Sequence, residues 1–404
     1  MVSHAPDPLF APFDLAGLTL GNRLAALPLY TGYAEPDGRV SPLLLERYWL
    51  LARSGPGLII VENAAVSPDG RASPHTIGAY DDAFLPGLAR LARVITSAGA
   101  AACLQLNHAG RYAATDAPLL PTPPDPRHLD FDIAALKAFM EGFPFAERFA
   151  LTGRLVRMAA RWNKTMSEAE CRRVAADFAA AAARAVAAGF SAVELHGATG
   201  YLITAFLSAN TNRGGGRHGG SFERRARFGL EVLAAVRRAV PPGFPVGFRL
   251  LLREWVPQGI VLDEAVRLAR LLEAGGASYL SVAAGTYSSF FLPEVRKVTQ
   301  RPGHLAEDAR AVRASVRIPV VISGKILAPP LARKLLKAGA ADLIGLARPL
   351  LADPAWVGKA RTGEAVTGCL DCFSCLRDAV LDRGVACVRW GEGQRARVRL
   401  ADQD

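Results

Sequence analysis

The sequence predicts an α/β fold, a (β/α)8 TIM barrel, on three observations. Eight short apolar runs recur along the chain, helical stretches lie between them, and several runs end in glycine-punctuated turns that carry polar side chains. Strand, helix and strand joined by short links imply parallel neighbours, because each return crosses over through a helix. Eight such units close a barrel, and polar groups at the strand exits then meet on the face where barrel active sites lie.

The runs are 24–28, 57–62, 101–106, 191–196, 244–250, 278–282, 318–323 and 341–346. Before them, Phe13-Asp14-Leu15 and Leu18-Thr19-Leu20 read as a hairpin turning at Ala16-Gly17, placed to cap the bottom of the barrel. The helical stretches are 41–54, 83–98, 167–188, 221–239, 262–274, 307–315 and 329–338. In 167–188, Ser167 and Glu170 form a capping box, and Val174, Phe178, Ala181, Ala182, Ala185 and Val186 follow at helical spacing until Gly189.

Residues 113–164 break this rhythm, since a βα link of that length far exceeds the usual few residues. A proline-rich piece at 121–126 is followed by an amphipathic stretch, 132–162, predicted as two helices split near Gly142-Phe143-Pro144. Its Phe139, Met140, Phe143, Phe145, Phe149, Leu155, Met158 and Trp162 form an apolar surface that needs a cover. A lid over the barrel mouth and a contact between subunits of a homo-oligomer both supply one, with a membrane contact a poor third. The expected division is a barrel over 1–362 with that insertion, and a cysteine-rich extension over 363–404.

Half of the 404 residues are hydrophobic, so the chain is globular. No apolar run approaches the roughly 18 residues that span a bilayer, and residues 1–7 lack a signal peptide's basic start and apolar centre. A cytoplasmic protein without membrane partners is expected. The net charge of +11 is spread without dense Lys/Arg blocks or interleaved aromatics, which argues against a nucleic-acid partner. Of six cysteines, Cys103 and Cys171 read as small buried hydrophobes. Cys369, Cys372, Cys375 and Cys387 crowd together, and in a reducing compartment they read as a metal or iron–sulfur site rather than two disulfides.

Several stretches at the predicted strand ends resemble the old yellow enzyme family of FMN oxidoreductases. They are Gly21-Asn22-Arg23, 57–62, Gln105-Leu106-Asn107-His108-Ala109-Gly110-Arg111, Gly219-Gly220-Ser221-Phe222-Glu223, Arg225-Ala226-Arg227-Phe228 and Gly345-Leu346-Ala347-Arg348-Pro349-Leu350. With the cysteines included, the chain is most similar to the branch of 2,4-dienoyl-CoA reductase, 2-enoate reductase and trimethylamine dehydrogenase.

The resemblance implies FMN, with Gln105 and Arg249 on the pyrimidine edge of the flavin and Pro28, Tyr30 and Asn63 flanking the ring. Tyr30 and Asn63 are departures, because many relatives carry Thr and Gly or Ala there. A phosphate end formed by Gly324, Lys325, Ala347 and Arg348 agrees with the usual phosphate loops of barrels, after strands seven and eight. In relatives that reduce activated alkenes, a pair of side chains holds the substrate carbonyl and a Tyr protonates the α-carbon; here these positions are His196, Thr199 and Tyr201. A loop that usually carries a larger set of side chains is here Gly214-Gly215-Gly216-Arg217-His218, which suggests a more mobile segment.

The four clustered cysteines match a [4Fe–4S] ligand set, while zinc on the same thiolates stays open. No glycine-rich dinucleotide fingerprint follows a strand, so electrons are expected from NAD(P)H or from a separate electron-transfer protein docking near Arg389, Arg395, Arg397 and Arg399. The expected activity is reduction of a carbonyl-activated C=C bond in a small-molecule substrate. Oxidation of a C–N or C–C bond and a flavin redox carrier without substrate chemistry are the alternatives.

Overall fold

The computed structural model describes residues 7–124 and 133–400, without the side chains of Ile133, Phe139, Arg399 and Leu400. The expectations placed on Phe139, on the Arg399 side chain and on the end of the proline-rich piece lie outside the described residues. Strands β1 (Phe13–Leu15) and β2 (Leu18–Leu20) pair antiparallel through Ala16 and Gly17, both in the left-handed region at φ +54° and +88°. Two successive left-handed residues give the turn whose twist matches a hairpin. Leu15 and Leu20 then pack among Leu58, Ile60, Cys103 and Tyr279, so the hairpin plugs one end of the barrel interior.

Strands β3 (Leu24–Ala26), β4 (Leu58–Ala65), β5 (Ile77–Gly78), β6 (Ala101–Asn107), β7 (Ala192–Gly197), β8 (Val246–Leu251), β9 (Tyr279–Ala283), β10 (Val320–Ile322) and β11 (Leu343–Leu346) form one parallel sheet. Its order is β3-β11-β10-β9-β8-β7-β6-β4, and β3 pairs with β4 through Ala25↔Leu58, which closes eight strands into a barrel. The two residues of β5 pair only beside β4. Alternation along β4 sends Leu58 and Ile60 inward, while Ile59 and Val61 join the cluster under the outer helices.

All seven predicted helical stretches form, and the capping box is intact. Ser167 Oγ accepts from the Glu170 N–H at 3.2 Å, and Glu170 Oε2 accepts from the Ser167 N–H at 2.7 Å. The insertion holds two helices, Ile133–Met140 and Phe145–Ala160, separated where the sequence predicts. Its apolar surface divides: Met140, Leu151 and Trp162 are buried, whereas Phe145 and Phe149 stay 76% and 75% exposed.

The cysteine extension packs on both the barrel and the insertion. Val385 donates to Thr31 O at 2.8 Å and accepts from Tyr33 Oη at 2.5 Å, while Trp390 Nε1 donates to Leu351 O at 2.8 Å. Arg154 and Glu147 of the insertion pair with Asp382 and Arg383 of the extension. Val385, Ala386 and Trp390 thereby enter the same buried core as the barrel helices. No helix among the described residues is long and apolar enough to cross a membrane.

Candidate active site

Strand register brings Gln105, Glu194, His196, Arg249 and Ser281 into one band at the strand exits, through Gln105↔Glu194, His196↔Arg249 and Arg249↔Ser281. Glu194 organises it. Its carboxylate accepts from Gln105 Nε2 at 2.7 Å and from Ser281 Oγ at 2.6 Å, and the Ser281 hydroxyl accepts in turn from Arg249 Nη1 at 3.4 Å. Burial pushes the Glu194 carboxyl up against the pull of Arg249. A buried cation needs such a partner, and Arg249 is half-buried beside it.

The β7 exit carries the predicted substrate-side residues. His196 is buried, and its Nδ1 accepts from the Ala198 N–H at 3.3 Å. Burial, then the charge of Arg249, hold its pKa down at about 3. The ring is neutral at pH 7, and with Nδ1 accepting, its proton belongs on Nε2 as a donor. Thr199 sits at φ +67°, a strained position for a β-branched residue, and is held there by a bridge to Thr286 and by the Tyr287 N–H to its carbonyl at 3.4 Å. Tyr201 stacks edge-on against His196 with centroids 5.0 Å apart, and its hydroxyl lies 3.0 Å from that of Tyr287. Burial raises the Tyr201 phenol well above its ordinary range, so it stays protonated. Tyr112 and Tyr287 complete a patch of near-perpendicular rings around it.

The segment after β3 carries Pro28 and Tyr30, and β4 carries Asn63. Tyr30 Oη lies 2.6 Å from Ser73 Oγ. Asn63 sits where the β4–β6 register shifts between Val61 and Ala64, an irregularity that re-aims side chains. Its Nδ2 is buried without a partner. Next to it, Glu62 accepts from the Thr31 N–H at 3.0 Å and the Thr31 hydroxyl at 2.8 Å, and burial raises its carboxyl to about 7.

At β10 and β11, Gly324 (φ +111°) and Lys325 (φ +53°) form a left-handed turn, and Arg348 follows Ala347 at the start of a short helix. Both cations are held by one carboxylate: Asp371 accepts from Lys325 Nζ at 2.8 Å and from Arg348 through its other oxygen. Arg348 also lines a small pocket together with Cys369, Cys372, Cys375 and Cys387. All four thiols are free, and Cys375 is raised to about 11 by burial. Among the described residues no three His, Cys, Asp or Glu are gathered tightly enough for one metal ion.

Other placements differ from the reading of the sequence. Arg217 and His218 turn to Glu231 on the outer helix Phe222–Ala239, which anchors the glycine-rich loop expected to be mobile. Arg397 pairs with Glu46 on the barrel and Arg389 Nε donates to Gly368 O, and both side chains stay exposed. Glu194, Ser281, Tyr112, Tyr287 and Asp371 were not assigned roles from the sequence. A carboxylate inside the apolar run 191–196, opposite Gln105, is the signal that could have found Glu194.

The fold is an α/β barrel whose rim gathers two cations on one carboxylate at its last two strands. The chain belongs to the NADH:flavin oxidoreductase / NADH oxidase family, whose pattern matches residues 8–366. It is 35% identical over 378 residues to an NADH oxidase of Thermoanaerobacter brockii, covering 92% of this chain and 53% of that protein. It is 33% identical to an NADPH dehydrogenase of Bacillus licheniformis, covering 86% of this chain and 92% of the other. A solved 2-naphthoyl-CoA reductase shares the fold at a TM-score of 0.83 with 22% identity, over 98% of this chain and 58% of that one. The chain thus spans about half the length of the longer of these two relatives.

FMN fits the residues present. Two cations gathered on a single carboxylate suit a phosphate, and the orphaned Asn63 amide leaves a hydrogen bond for a polar ring edge. The four thiols that line one pocket are the donor type an iron–sulfur cluster takes.

Proposed function

We propose that this chain is an FMN-dependent oxidoreductase that reduces a carbonyl-activated C=C bond. The charge state at the β7 exit carries this reading: His196 is held neutral with a donor at Nε2, and Tyr201 is held protonated beside it. A neutral donor and a neutral acid suit polarising a carbonyl and giving a proton to the α-carbon. The Nδ1 lone pair of His196 is already taken by the Ala198 N–H, and Tyr201 keeps its proton. Neither is placed to remove a proton, which favours reduction over oxidation of a C–N or C–C bond.

Bound FMN would supply the hydride. Gln105 and Arg249 would hold its pyrimidine edge, Pro28, Tyr30 and Asn63 its ring, and Gly324, Lys325, Ala347 and Arg348 its phosphate. His196 and Thr199 would orient the substrate carbonyl, with Tyr201 as proton donor. The rings of Tyr112, Tyr201 and Tyr287 suit a flat, unsaturated acyl group or enone. NAD(P)H, or a separate electron-transfer protein acting through a [4Fe–4S] cluster on Cys369, Cys372, Cys375 and Cys387, would supply the electrons. Iron and acid-labile sulfide in anaerobically purified protein support the cluster; one zinc ion in their place overturns it.

Tyr201→Phe tests the central assignment in separate half-reactions. Flavin reduction is expected to keep its rate, while alkene reduction falls about 10²-fold or more. An unchanged alkene rate would contradict the assignment, and no alkene turnover by the wild type would favour the carrier alternative.

A further inference from the structure

The turn from Cys369 to Cys372 carries one side chain that is fixed from two sides. Asp371 accepts from Lys325 Nζ at 2.8 Å and from Arg348, and its own N–H points at Cys369 Sγ at 3.4 Å. Its backbone is left-handed at φ +57°, and so is that of Lys325 at φ +53°. Non-glycine residues adopt this conformation when surroundings impose it. The position of the carboxylate and the shape of the cysteine turn are therefore one arrangement, and both cations it holds are the ones assigned above to the flavin phosphate.

We infer that Asp371 is a specificity-determining residue of the phosphate cradle: its carboxylate holds Lys325 and Arg348 in the phosphate-free chain, and the phosphate of FMN displaces it. The inference rests on the assignment of those two cations to the phosphate. Lys325 and Arg348 carry two positive charges, Asp371 returns one negative charge, and a phosphate dianion brings two. Carboxylate and phosphate compete for the same donors, and the displaced carboxylate takes its hold on the Cys369–Cys372 turn with it. Flavin loading and the conformation of the turn are then linked, and linkage is reciprocal. A flavin without phosphate leaves the latch closed.

The test compares FMN with riboflavin on the full chain freed of flavin and metal. Fluorescence titration of Asp371→Asn is expected to show FMN bound about tenfold more tightly than by the wild type, a coupling of ordinary size, with riboflavin affinity unchanged. In the wild type, FMN is expected to change the rate at which Ellman's reagent modifies the exposed Cys372, and riboflavin is expected not to. Equal or weaker FMN binding by Asp371→Asn, or the same thiol rate with both flavins, overturns the inference. If Lys325→Ala and Arg348→Ala leave the ratio of FMN to riboflavin affinity unchanged, the phosphate assignment itself fails and the inference with it.

Discussion

The β6–β9 arc of the rim links its charged groups by hydrogen bonds within the barrel, whereas the β10–β11 arc holds two cations against a carboxylate brought from the cysteine extension. On the first arc, Glu194 accepts from Gln105 and Ser281, and Ser281 from Arg249, so the sheet register fixes the group in place. On the second, the anion comes from a separate segment, and a competing anion can replace it. The difference teaches which groups are permanent architecture and which are ligand-responsive. A ring edge would meet preset polar groups, while a phosphate would exchange partners.

Breaking the buried arc should have the largest effect. Arg249→Met leaves the Glu194 carboxylate without its cation and is expected to destabilise the chain by about 3–5 kcal/mol in urea unfolding. Adding Glu194→Gln should restore much of this; a double variant no more stable than the single one would separate the two residues. Next in size is Glu62, on the strand between the arcs. Its carboxyl is raised from 4.5 to about 7 by burial, so the stability it contributes is fully present below about pH 4.5 and lost as pH rises through 7. Glu62→Gln should remove a pH-dependent loss on the order of 3 kcal/mol between pH 4.5 and 8. Identical pH dependence in variant and wild type would exclude Glu62 as its source. The smallest effect is local: Thr199→Asn keeps a hydrogen-bonding side chain and eases the left-handed strain, so a gain of about 1 kcal/mol is expected in thermal unfolding. A loss would mean that the bridge to Thr286 depends on the threonine.

The barrel was legible because its strands are short apolar runs at regular intervals, and each predicted run contains or overlaps an observed strand. The end of β4 was not legible beyond Glu62, since the register shift that carries Asn63 leaves no mark in hydrophobicity. The helix Leu202–Leu207 escaped because all six of its residues are buried and show no polar face. The placement of the four cysteines around one pocket and of His196 near the end of β7 was legible from spacing and residue type. Glu194, Asp371 and Tyr287 act through partners 80 residues or more away or on another segment, so only register and packing expose them.

A crystal structure of the anaerobically prepared, flavin-loaded chain tests the account most directly. The expected result is one FMN across the barrel mouth, its pyrimidine edge on Gln105 and Arg249 and its phosphate on Lys325 and Arg348, with Tyr201 and His196 facing the ring. A flavin bound elsewhere, or a phosphate that leaves both cations on Asp371, would contradict it.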